Sequence, residues 1–81
     1  MNWWKCWLDG RDEQTGDEVL AGSLEVAARD FGEDWGRRHA DASEVHVLGR
    51  DVDGRVRRFV VTRHVVYRVA EQAGEVADAN P

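Results

Sequence analysis

Between Ser43 and Ala70 a run of valines alternates with arginines on either side of one sharp turn signal, Asp51-Val52-Asp53-Gly54, and this pattern reads as a β-hairpin whose register can be argued. A two-residue loop at Asp53-Gly54 would pair Val52 with Arg55 and Leu48 with Phe59, putting Val45 and Val47 on the face opposite Phe59 and Val61. That register splits the apolar set. A three-residue loop, with Val52 and Asp53 in a type I turn and Gly54 left-handed as a bulge, pairs Asp51 with Arg55, Val47 with Phe59 and Val45 with Val61. One face is then wholly apolar, and this is the predicted register. The other face carries His46, Leu48, Arg58, Val60 and Thr62, too mixed for a core and too apolar for an ordinary wet surface.

Upstream, Trp3 to Leu8 alternates as a first strand, with Trp4, Cys6 and Leu8 on the core side and Trp3, Lys5 and Trp7 on the other. Asp9 to Asp17 is a polar loop, and Glu18 to Ala21 a short second strand able to pair with the first. Ser23 is placed to cap a helix running from Leu24 to about His39, with acidic residues toward its start and Arg37 and Arg38 at its end. Leu24, Ala27, Ala28, Phe31 and Trp35 form its apolar stripe. Gly32 and Gly36 either shorten the helix or allow it to approach the sheet closely. The expected fold is α+β in two layers: an antiparallel sheet of three to four strands with one helix on one face, in the order β-(β)-α-β-β. Alternation breaks near Thr62-Arg63-His64, so Val65 to Val69 is either a separate strand or a bent extension. Residues 1–73 form the expected domain and 74–81 a flexible acidic tail.

At 81 residues the chain has room for one domain and little room for a deep pocket. Its net charge of −5 is segregated: residues 1–43 carry −5, residues 44–70 carry +3 and residues 71–81 carry −3. Every basic residue of the hairpin is an arginine, a choice that suits planar contacts to carboxylates, phosphates or rings and that a GC-rich coding sequence also produces. The single cysteine, Cys6, excludes an intramolecular disulfide and suits a reducing compartment, so a cytoplasmic location is expected. No apolar stretch is long enough to span a membrane.

Candidate chemistry is sparse. Cys6 lies in a hydrophobic strand without a nucleophile signature, and the three histidines lack metal-ligand spacing. Asp9, Asp12, Glu13, Asp17 and Glu18 flank two glycines without matching a calcium loop. No enzyme activity and no cofactor are expected. Four tryptophans in so short a chain are the stronger signal. Trp3 and Trp7 fall on the mixed face with Arg58 and His46, a composition shared by protein-interaction hot spots and by platforms that stack unpaired bases; alternatively, the Asp9–Asp17 loop or the C-terminal segment folds over the rings. Two function classes follow: a protein-binding module, and a single-stranded nucleic-acid binder using Trp and Arg on the open face. An acidic chain repels a polyanion, which favours protein binding without direct nucleic-acid contact. Asp9, Asp12, Glu13, Asp17, Glu18, Asp30, Glu33 and Asp34 could then imitate phosphates in a basic groove of the partner, with Asp12, Glu13, Asp17 and Glu18 the first to test by charge reversal.

The layout of Trp-rich first strand, acidic loop, Ser-capped helix from Ser23 to Trp35 and hairpin ending Arg58-Phe59-Val60-Val61-Thr62 resembles that of small acidic proteins encoded by phages and mobile elements, anti-CRISPR inhibitors among them. The resemblance is one of size, charge and layout, without a shared motif. It implies a non-enzymatic inhibitor, a monomer or weak homodimer in the host cytoplasm, that binds a host protein complex such as a CRISPR effector subunit and blocks its nucleic-acid targeting.

Overall fold

The hairpin turn closes as the register argument requires. In the computed structural model, which describes residues 1–39, 43–63, 67–72 and 76, Gly54 takes a left-handed φ of 83° and its N–H donates to the Asp51 carbonyl at 3.0 Å. The Asp51 side chain accepts from the backbone of Asp53 and Arg55, at 2.9 and 3.1 Å, which fixes the turn from inside. Strands β3 (Glu44–Arg50) and β4 (Val56–Arg63) then pair with Val47 opposite Phe59 and Val45 opposite Val61. All four of these side chains are buried.

Strand β1 (Asn2–Leu8) lies inside the sheet, between β2 (Asp17–Ala21) and β3. The sheet has five antiparallel strands in the order β2-β1-β3-β4-β5, at least one more than the three to four expected. The additional strand is β5 (Tyr67–Glu71), which returns along β4 with Val69 opposite Val61. The chain therefore reverses after Arg63 instead of extending β4. A valine-rich segment interrupted by arginine carries no clear alternation to announce such a reversal.

Helix α1 (Leu24–Arg38) crosses one face. The Ser23 hydroxyl accepts from the Val26 N–H at 3.3 Å, and Arg37 and Arg38 pair with Glu33 and Asp34 one turn earlier. The helix continues through both interior glycines. At Gly32 the reason is steric: a β-carbon there would lie 2.7 Å from Val61 Cγ2, so glycine permits a close approach of helix to sheet. Leu24, Ala27 and Ala28 pack on Cys6, Val45, Val47, Phe59 and Val61, with Trp4, Phe31 and Trp35 closing the margins. The apolar stripe of the helix and the apolar face of the hairpin thus form one core. The expected tail lies outside the described residues except for Val76, which is partly buried.

Candidate functional site

The alternation of β1 does place Trp3, Lys5 and Trp7 on the face away from α1, but the two rings have different fates. Trp3 is 64 % exposed and Trp7 only 2 %. For Trp7 the open-face reading fails and its alternative, cover by the Asp9–Asp17 loop and the C-terminal segment, holds: the ring is the centre of a second, smaller core with Leu48, Val56 and Val76. Two segments cover it. The first is the loop after β1, which turns through a short 3-10 helix at Glu13–Thr15 and comes so close to β1 that a β-carbon on Gly16 would overlap the Cys6 carbonyl oxygen and approach Trp7 Cβ to 2.7 Å. From that turn Glu13 holds Arg50 through two hydrogen bonds, Nε to Oε2 at 2.9 Å and a terminal nitrogen to Oε1 at 2.7 Å. The Arg50 guanidinium lies 6.0 Å from the centre of the Trp7 ring. The second is the C-terminal segment, through Val76. The Trp7 indole N–H has no acceptor among the described residues.

Two further arginines of β4 are also engaged, Arg58 on the mixed face and Arg57 on the helix face beside Phe59. Arg58 Nε lies 3.4 Å from Asp9 Oδ2, close enough for charge pairing though not aligned as a hydrogen bond. Arg57 donates to both carboxylate oxygens of Glu71, with Nε to Oε2 at 2.6 Å. This contact lowers the Glu71 pKa and raises that of Arg57. His46 Nε2 sits 2.8 Å from Glu44 Oε1 on the open face. A stacking platform of Trp3, Trp7, His46 and Arg58 is therefore not assembled. Trp3 stands apart, beside its cross-strand partner Leu20, which is 46 % exposed, and near Met1 at 89 %.

The acidic residues come together around β2 in two groups. Asp12, Glu13 and Gln14 line an open depression with Lys5, whose neighbour across the strand is Glu18. On the helix side, Asp17 borders a groove with Asp30 and Asp34, floored by Val19 and Phe31 and reaching the strand edge at Glu18 and Leu20. The β2 edge runs between the two. Asp12, Asp17 and Glu18 enter no ion pair among the described residues, whereas Glu13, Asp30 and Asp34 are paired with Arg50, Arg29 and Arg38. The pattern missed from sequence is the role of Leu20: its place in the β2 alternation marks it as outward-facing, but only the sheet order shows that it borders a free edge.

Cys6 is fully buried, and burial pushes its thiol up to about 12, so at neutral pH it is an uncharged packing group. Among the described residues no three His, Cys, Asp or Glu side chains converge to hold a metal ion, and no helix is long and apolar enough to cross a membrane. No family model matches the chain, and neither a curated protein nor a solved structure is significantly similar to it.

Proposed function

We propose that this protein works by binding another protein and has no chemistry of its own: it is an inhibitor whose acidic β2 margin occupies a basic, nucleic-acid-binding surface of its partner, in the manner of small phage-encoded proteins that block host nucleic-acid-targeting complexes. One observation carries the reading. Asp12, Asp17 and Glu18, which enter no ion pair among the described residues, gather at one margin of the sheet, while Arg50, Arg57 and Arg58 are held by Glu13, Glu71 and Asp9. The margin thus carries negative charge in excess of Lys5, and charge of one sign steers association with a surface of the other. The competing reading, a platform for single-stranded nucleic acid, needs adjacent rings flanked by available arginines. It is supported by Trp3 alone.

The test is to measure binding of the purified protein to single- and double-stranded DNA and RNA by fluorescence anisotropy at physiological ionic strength, and to assay nucleic-acid binding by a partner captured from host lysate. The expected result is no direct binding, and a partner whose affinity for nucleic acid falls when the protein is added. Charge reversal at Asp12, Asp17 and Glu18 should weaken the effect and flatten its salt dependence. Direct binding that disappears in Trp3→Ala would replace the inhibitor reading with the platform.

A further inference from the structure

The hydrogen-bonding phase of the sheet shows which backbone groups of β2 face outward. The Asp9 N–H donates to the His46 carbonyl at 2.9 Å, and in an antiparallel ladder the groups of successive residues point alternately to the two sides. Hence Trp7 points its N–H and C=O toward Leu48 of β3, while Asn2, Trp4 and Cys6 point theirs toward Ala21, Val19 and Asp17 of β2. By the same alternation, the N–H and C=O of Glu18 and Leu20 face away from β1. Since β2 is an edge strand, these four groups have no strand partner among the described residues.

We propose that this edge is where the partner docks, and that the docked element is an extended basic segment that adds to β2 as a sixth, antiparallel strand. The inference rests on the protein-binding reading above and specifies the chemistry of the contact. A strand laid along β2 sends alternate side chains to the two faces of the sheet. The residues opposite Glu18 and Leu20 fall on the face of Trp3, where Leu20 and the Trp3 ring offer apolar contact and Glu18 offers a charge. The residue opposite Val19 falls on the helix side, over a groove of about 450 Å³ floored by Val19 and Phe31 and rimmed by Asp17, Asp30 and Asp34. An arginine suits that position, because its stem lies on the apolar floor while its guanidinium meets the carboxylates. A second copy of this chain fits less well, since an antiparallel β2–β2 pair centred on Val19 sets Glu18 against Leu20 and Asp17 against Ala21 and brings no cation to the acidic groove of either protomer. Main-chain bonding then supplies the strand geometry, and acidic flanks supply the preference for basic sequence.

The probe is an acetylated and amidated hexapeptide, Thr-Val-Arg-Lys-Arg-Thr, titrated into the isotopically labelled protein and followed by amide chemical shifts and hydrogen exchange. The expected result is saturable binding in which exchange at Glu18 and Leu20 slows by about tenfold or more, while Val19, already bonded to Trp4, changes little. N-methylation of the two peptide residues facing Glu18 and Leu20 removes their donors and should weaken binding about thirtyfold, since each of the two bonds contributes roughly 1 kcal/mol. Leu20→Pro is the matching protein variant: it removes an outward N–H without touching the β1–β2 ladder. If the N-methylated peptide binds as well as its parent, attraction is by charge alone and strand addition is wrong, while the acidic margin still stands as the partner surface. Absence of binding at millimolar peptide overturns the proposal as well. So does a concentration-dependent dimer abolished by Leu20→Pro, which would identify the occupant as a second copy. Direct nucleic-acid binding in the anisotropy assay would count against the inhibitor reading and leave the peptide result unaffected.

Discussion

Replacing Gly32 by alanine sets two effects of known sign against each other. Alanine is favoured over glycine in a helix interior by about 1 kcal/mol, so an exposed Gly32 would gain stability from the change. Gly32 is instead buried, and the new β-carbon would lie 2.7 Å from Cγ2, 2.8 Å from Cβ and 3.2 Å from Cγ1 of Val61. Favourable carbon contacts fall near 3.5 to 4.0 Å, so α1 and β4 must separate by more than half an ångström or remain strained. Neither adjustment is easy. Val61 is β-branched and stiff, it is fully buried, and its backbone is held between Val45 of β3 and Val69 of β5. Overpacking of this kind costs about 1 to 3 kcal/mol, and after the gain of about 1 kcal/mol in helix propensity the net loss is about 0 to 2 kcal/mol. Urea unfolding of the wild type, Gly32→Ala, Val61→Ala and the double variant measures the coupling directly. Val61→Ala removes both γ-carbons and leaves only the Cβ close by, so in that background Gly32→Ala should cost less than in the wild type, with a coupling of about 1 to 2 kcal/mol. Gly49→Ala makes a useful contrast, because its obstacle is the terminal Cδ1 of Leu24 at 2.6 Å, which can rotate away. It should cost less than Gly32→Ala. A Gly32→Ala that stabilises by the full helix-propensity gain, or an equal effect in both backgrounds, would refute the close approach of α1 to β4.

Trp7→Ala should lose about 3 to 5 kcal/mol of stability and Trp3→Ala less than about 0.5 kcal/mol; urea unfolding checks both, and a similar loss for the two would mean that Trp7 is not the covered ring. The native Cys6 thiol should react with a thiol reagent orders of magnitude more slowly than in denaturant, and a comparable rate in both conditions would contradict its burial. Glu71→Gln should lower stability at neutral pH by no more than about 1 kcal/mol, because the pair with Arg57 is solvent-exposed. The Glu71 pKa is lowered in the folded state chiefly by the hydrogen bond from Arg57, so its contribution is present above the ordinary carboxylate pKa and is lost as pH falls through the lowered value. Wild type and Glu71→Gln should therefore converge in acid, and a difference that persists there would point to packing instead of charge.

The features legible in the sequence were those set by local chemistry or by a single strand's alternation. Gly54 and the valine pattern determine the hairpin register, and Ser23 marks the start of α1. The covered set of Trp4, Cys6, Leu8, Val45, Val47, Phe59 and Val61 follows from period-two spacing alone. Alternation assigns a side chain to a face, however, and cannot say whether a distant segment covers that face. Trp7 shows the difference: its side of the sheet was correct, and its exposure was decided by Glu13, Arg50 and Val76, which meet it only in the folded chain. Strand β5 escaped for a related reason, since the reversal after Arg63 carries no glycine or proline. Asp12, Glu13, Asp17 and Glu18 were visible as a cluster, but their meeting with Asp30 and Asp34 of the helix, and the division of the acidic residues between the two sides of β2, depend on how the helix lies against the sheet's edge.

The ladder between β1 and β3, with Cys6 opposite Gly49, Trp7 opposite Leu48 and Leu8 opposite Val47, is the shortest in the sheet although it lies in its interior. It also joins the two sequence-local pieces of the chain, the β1–β2 hairpin with its following helix and the β3–β4–β5 meander. Each piece can form from neighbouring residues, whereas this seam closes a loop of about forty, the kind of step that is slow in folding. Helix α1 packs on Val45, Val47, Phe59 and Val61 across the seam, so the two pieces part only when the shared core opens. Cys6 sits on the seam and inside that core. Thiol labelling of the native protein therefore times the opening of the whole core, and at high protein concentration the β1 edge so released can pair with β3 of a second molecule, giving a swapped dimer built from native strand pairs.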